Sequence, residues 1–148
     1  MLLNECLSDG RLKPQPANHA EIARLLAVAD RDLADANVRG VSIDRRFATA
    51  YNAALQLATV VLRASGYRTS SAAAGHHWVT LALLPEFMGP EQADRRSFLD
   101  SCRRARNQAD YDRIDVVSKQ DLAELLTDTL AFRDETLAWL RREHPELV

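Results

Sequence analysis

Residues 102–113, CRRARNQADYDR, gather the side chains of this chain best suited to chemistry on a phosphate. Six arginines fall between positions 95 and 113, interleaved with Asp100, Asp110 and Asp112, so the local balance is only modestly positive. That is a patch, not the long basic stripe of a nucleic-acid binder. On a helix turning ~100° per residue, Arg103, Arg106, Asp110 and Arg113 share one face beside Leu99. Arg106 and Asp110 stand four apart and can pair. A guanidinium grips a phosphate through two parallel N–H bonds. Asn107 could donate a further hydrogen bond, and Tyr111 could stack on a base or bond to a phosphate. Arg106 and Tyr111 are ~140° apart on an ideal helix, so they converge only if the helix bends or ends near Asn107. The same spacing also describes an ordinary solvated, salt-bridged helix face. Spacing alone leaves both readings open.

The other candidate side chains are His76 and His77. As neighbours on a regular helix they cannot both face one metal, and no acid or cysteine stands at ligand spacing, so no metal and no cofactor are expected. Their plain role is structural or on the surface. The alternative is that one of them reaches Arg106 across the bundle or across a dimer interface. Tyr51 and Asn52 are expected to pack in the core as a ring and a satisfied amide. Trp78 and Trp139 are expected to pack in the core and at a helix end. Asp30, Asp32 and Asp35 form an acidic face without the glycine-bearing loop of a calcium site. Cys6 and Cys102 match no metal or redox spacing and are expected to be free thiols in a reducing cytoplasm.

These residues need long helices to hold them, and the composition supplies helices. Ala, Leu, Arg, Asp and Glu dominate, while glycine and proline number five each among 148 residues. Apolar residues make up 47% of the chain, enough for one sizeable core. The formal net charge of −2 offers no global positive field for nucleic acid. The longest apolar run, residues 53–62, is broken by Gln56 and Thr59 and falls far short of the ~20 residues a spanning helix needs. Residues 1–7 lack a basic start and a long apolar stretch, so no signal peptide and a cytoplasmic location are expected.

Residues 1–17 read as an arm with one apolar turn (Leu2, Leu3, Leu7), closed off by Pro14 and Pro16. Residues 18–148 read as one helical domain. Asn18 with Glu21 has the form of a capping box. Ile22, Leu25, Leu26, Ala29, Leu33 and Ala36 then repeat with helical period up to a stop at Gly40. Ser42 caps a second helix, apolar nearly all round from Phe47 to Leu62 and therefore central, ending at Gly66. A short third helix spans about 72–84, with Trp78, Leu81 and Ala82 inward and Pro85 as its stop. A fourth follows Gly89-Pro90-Glu91 and points Phe98, Cys102, Ala105 and Ala109 inward. Ser118 to Asp121 caps the fifth, which runs to about Arg142. No stretch alternates with period two, so no sheet is expected. The fold class predicted is all-α, an up-and-down bundle of about five helices.

The ordered set of a first helix with ARLLAVADRDLADA, the run AYNAALQLATVVLRASGYR, the following GHH, and RN…DY on a later helix resembles the HEPN domains. The likeness extends over about 21–140. It implies a HEPN-like bundle, a homodimer and a prokaryotic or eukaryotic relative set in which many members are metal-independent endoribonucleases. Those are often the toxin of a toxin–antitoxin pair, while others accompany a nucleotidyltransferase. The family's nuclease motif is an arginine, a polar neighbour and a histidine four to six residues on. Arg106 and Asn107 match the first two, and Tyr111 stands in the histidine slot. Histidine carries protons near neutral pH, whereas tyrosine titrates near ~10. The resemblance therefore implies a module that holds a nucleotide or RNA phosphate, or docks on a nucleotidyltransferase, ahead of an endoribonuclease paired with an antitoxin. A plain protein-interaction bundle is the third reading. In the first reading Arg106, Asn107 and Tyr111 bind, Arg103 and Asp110 assist, and His76 or His77 contributes.

Overall fold

The structure, a computed structural model, describes residues 1–70, 76–111 and 117–148, with backbone only for 108–111. It is an all-α bundle whose axis is the central apolar helix expected from the sequence. That helix, α3 (Ile43–Ala64), is capped by Ser42, whose hydroxyl accepts from the Arg45 N–H at 3.4 Å. Ala50, Ala54, Leu57, Ala58 and Val61 along it are fully buried, because other helices cover it on several sides. α2 (His19–Ala36) lies along one side and α7 (Lys119–Glu143) along another. α4 (His76–Ala82), α5 (Leu84–Met88) and α6 (Ala93–Tyr111) close the remainder. The whole of 72–75, expected to open the third helix, lies outside the described residues.

The arm is structured. α1 (Leu2–Ser8) packs Leu2, Leu3, Cys6 and Leu7 with Leu62, Val79 and Leu83 in a second, smaller core. Beyond it β1 (Leu12–Pro14) pairs antiparallel with β2 (Tyr67–Thr69), Lys13 opposite Arg68. This small sheet corrects the expectation of none. Three-residue strands are too short to show a period of two, and Pro14 is tolerated in a two-stranded ribbon where both strands are edges. Gly66, at φ +95°, makes the turn from α3 into β2 in the left-handed region that glycine favours.

Several boundaries shift for local reasons. The Asn18 side chain accepts from the Glu21 N–H at 2.9 Å, as expected, but the Glu21 carboxylate turns away to Arg63 and leaves the box half closed. α2 ends at Ala36, before Gly40, because the Asn37 side chain donates to the Leu33 carbonyl at 2.8 Å. Pro85 does not simply stop a helix; it sits in the first turn of α5, where a missing N–H costs nothing. Pro90 opens a single 3₁₀ turn (Pro90–Gln92) before α6. Trp78 is 39% exposed, against its expected core position, since Val79 and Leu81 occupy the inner side of a two-turn helix. Trp139 is buried as expected and meets His144 edge-on at 4.9 Å between ring centres. Leu99, placed at the flank of the fourth helix by sequence, is fully buried, while Phe98 is half-buried.

The capping box at Ser118 is complete. Its hydroxyl accepts from the Asp121 N–H at 3.0 Å, and the Asp121 carboxylate accepts from the Ser118 N–H at 2.9 Å. Ser118→Ala should therefore lower stability by about 1 kcal/mol, seen as a lower urea midpoint at unchanged slope. An unchanged midpoint would show that α7 does not depend on this cap.

Candidate functional site

α6 carries the arginine patch, and its partners separate the structural arginines from the others. The Arg95 guanidinium reaches Asp128 at 3.1 Å and Glu135 at 2.8 Å on α7, and lies 4.9 Å over the Phe132 ring. It is a clamp between helices. Arg103 donates to Asp100 at 2.9 Å, and Arg104 approaches the same carboxylate at 3.7 Å. Arg106 differs. Its Nε is shut off from solvent, with no hydrogen-bond partner among the described residues. Its guanidinium carbon lies 5.7 Å from the centre of the Tyr51 ring on α3. The ring face attracts the cation and fixes its position without neutralising it.

Tyr51 is fully buried, in keeping with its place on the apolar helix. Its hydroxyl, however, has no partner among the described residues, so its polar end is not satisfied within the core. Burial pushes the Tyr51 phenol up to about 12, against the pull of Arg103 and Arg106 nearby, so it stays protonated. Tyr51 is then a neutral platform beneath Arg106. Its position one helix away hides this role in the sequence.

α4, which packs against α3 and α6, carries His77. Burial holds its imidazolium form down, and the neighbouring His76, Arg106 and Arg103 act in the same direction. The His76 and His77 rings meet edge to face at 4.4 Å between centres. A half-buried imidazole kept neutral offers one N–H donor and one acceptor nitrogen. Of the two histidines, His77 is half-buried, while His76 is exposed.

The backbone of α6 continues as helix through Tyr111, so the site does not rest on a helix end at Asn107. Asn107 is half-buried. The side chains of Asp110 and Tyr111, and with them the expected Arg106–Asp110 pair, lie outside the described residues. So does Arg113. Among the described residues no three His, Cys, Asp or Glu side chains cluster as metal ligands would. No described helix is long and apolar enough to cross a membrane. Cys102 is a buried free thiol, pushed up to about 12 by burial, and is not a nucleophile at neutral pH.

Tyr51 and Arg106 therefore form a cation-over-ring cluster between α3 and α6, with Arg103, paired to Asp100, on the same helix and His77 on the adjoining α4. Such a cluster suits an oxyanion. No protein-family model, curated protein or solved structure matches this chain.

Proposed function

We propose that this chain is a HEPN-like accessory module that holds a nucleotide or RNA phosphate at Arg106, with Arg103, Asn107 and His77 beside it. The observation that carries the reading is the half-buried Arg106 guanidinium, set over the Tyr51 ring. The ring fixes its position, and among the described residues no carboxylate pairs with it. A preorganised cation spends little entropy on binding. The test is binding of a short RNA, hexauridylate, to the wild type and to Arg106→Ala. Binding that survives Arg106→Ala unchanged refutes the reading.

A half-buried His77 on α4, which packs against α6, supports a second reading, a metal-independent endoribonuclease of a toxin–antitoxin pair. A neutral imidazole can take the proton of an attacking 2′-hydroxyl and return it to the 5′-oxygen as the P–O5′ bond breaks and a 2′,3′-cyclic phosphate forms, while an arginine stabilises the phosphate. His77 would then do from α4 what Tyr111 is unsuited to do from α6. Cleavage of RNA without added metal, lost in His77→Gln, would establish this reading in place of the first. Background-level cleavage retains the binding module, which in the family's pattern serves a partner nucleotidyltransferase.

The resemblance also makes a homodimer the proposed assembly. Sedimentation at micromolar concentration should return about twice the chain mass of 16.6 kDa. A single species at the chain mass would rule out a site shared between two copies.

A further inference from the structure

A cleft of ≈ 490 Å³ opens between α2, α3, β2 and α4, and His77 lines its edge. Its volume falls in the range of small-ligand sites. Its chemistry is lopsided towards donors. Among the described residues the one carboxylate lining it, Glu21, spends both oxygens on Arg63, at 2.8 and 2.9 Å. The hydroxyls of Thr59 and Thr80 are donated to the Leu55 and His76 carbonyls, each at 2.8 Å. What remains for a ligand among the described residues is Arg24, Arg68, the Gln56 amide, the Thr69 hydroxyl and the two imidazoles. Arg24 and Arg68 are both exposed, and Arg68 meets only the neutral Gln15 side chain at 3.3 Å among the described residues. Both guanidiniums lie near enough to Glu21 to help Arg63 hold its carboxyl below the usual range, so the three cations crowd one anion. Among the described residues the cleft therefore carries a surplus of about two positive charges.

We propose that this cleft is a second phosphate subsite, formed by Arg24, Arg68 and Gln56, which holds a further phosphate of a ligand whose first phosphate sits at Arg106. His77 joins the two, since it lines the cleft from α4, and α4 packs against α6, the helix that carries Arg106. The ligand class is a phosphate chain with at least two phosphates, either an oligoribonucleotide or a nucleoside polyphosphate. The pairing of the two sites rests on the reading of Arg106 given above; the cleft's own affinity for an oxyanion does not.

Calorimetric titration of the full chain with hexauridylate, uridine triphosphate and uridine monophosphate tests this. The double variant Arg24→Gln/Arg68→Gln should weaken the better-bound of the first two ligands at least tenfold. Its salt dependence should become shallower by about 0.7 in log–log slope for each single-strand phosphate that the variant no longer neutralises. Uridine monophosphate should change by less than about twofold, because one phosphate at Arg106 suffices for it. The control Arg39→Gln/Arg141→Gln removes the same charge from exposed positions outside the cleft and should leave all three titrations as in the wild type. Comparison of hexauridylate with uridine triphosphate identifies the source of the phosphate chain. If Arg24→Gln/Arg68→Gln behaves like the control, the subsite is refuted; should Arg106→Ala still abolish binding, the proposed function stands without it. If the double variant weakens binding and Arg106→Ala does not, the cleft is an oxyanion site and the Arg106 reading falls. A wild type that binds none of the three overturns both.

Discussion

Arg63→Ala should lower the stability of the fold by about 3 kcal/mol, the low end of the range for removing one partner of a buried ion pair. Arg63 is 5% exposed near the end of α3 and donates to five acceptors. Two are the Glu21 oxygens on α2. Three are the backbone carbonyls of Gln15 at 2.8 Å, Pro16 at 3.2 Å and Tyr67 at 3.0 Å. One guanidinium thus ties the arm and β2 to α2 and α3. Its loss leaves those carbonyls and the half-buried Glu21 carboxylate without their donor. Arg63→Lys should recover only part of the stability, because one ammonium cannot reach a planar fork's set of acceptors. Urea unfolding of the three proteins measures both effects. A decrease below about 1 kcal/mol for Arg63→Ala, typical of an exposed pair, would show that the network is not a structural centre.

The same network sets a pH dependence. Hydrogen bonds from Arg63 hold the Glu21 carboxyl below its ordinary value, against the opposing effect of burial. A carboxyl depressed in the folded state stabilises the fold fully above its unfolded value, near ~4.3. That contribution disappears as pH falls through the lower folded value. Acid should therefore cost the wild type this contribution below about pH 4, and Arg63→Ala should show a flatter stability profile over that window.

The second large effect is on binding. Arg106→Ala should weaken hexauridylate by roughly 1.5–3 kcal/mol, the range for a charge-assisted hydrogen bond. That corresponds to a roughly ten- to hundredfold higher dissociation constant. Arg106→Lys keeps the charge and loses the fork, so it should fall between the two. Because Arg106 is half-buried over Tyr51 and is not part of an ion pair among the described residues, the variant should unfold near the wild-type midpoint. Weak binding in a well-folded variant then reports on the site and not on the scaffold.

The helices are legible in the sequence because their signals are local. Asn18, Ser42 and Ser118 cap where their neighbours predict, and the apolar run of α3 marks it as central. What the sequence hides depends on partners far along the chain. Arg63 reads as a polar end to an apolar helix; its acceptors lie on the arm, on α2 and on β2. The two strands are too short to carry a pattern. Arg106 is visible as a candidate, whereas Tyr51 beneath it and His77 beside it come from α3 and α4. Spacing within one helix, which makes Asp110 its natural companion, says nothing of side chains delivered by other helices. The HEPN resemblance rests on an ordered set of such local pieces, and it supplies the proposal that geometry at Arg106 supports.

The claim at the centre is that the Arg106 guanidinium meets a phosphate. The arginine Nε–H resonances of ¹⁵N-labelled protein report on it directly, with the Arg106 signal assigned by its absence in Arg106→Lys. On titration with hexauridylate that signal should move saturably, with the same midpoint as the calorimetric binding curve, while the Arg95 and Arg63 signals, locked in their carboxylate pairs, stay in place. An Arg106 signal that does not move while hexauridylate binds would contradict the account.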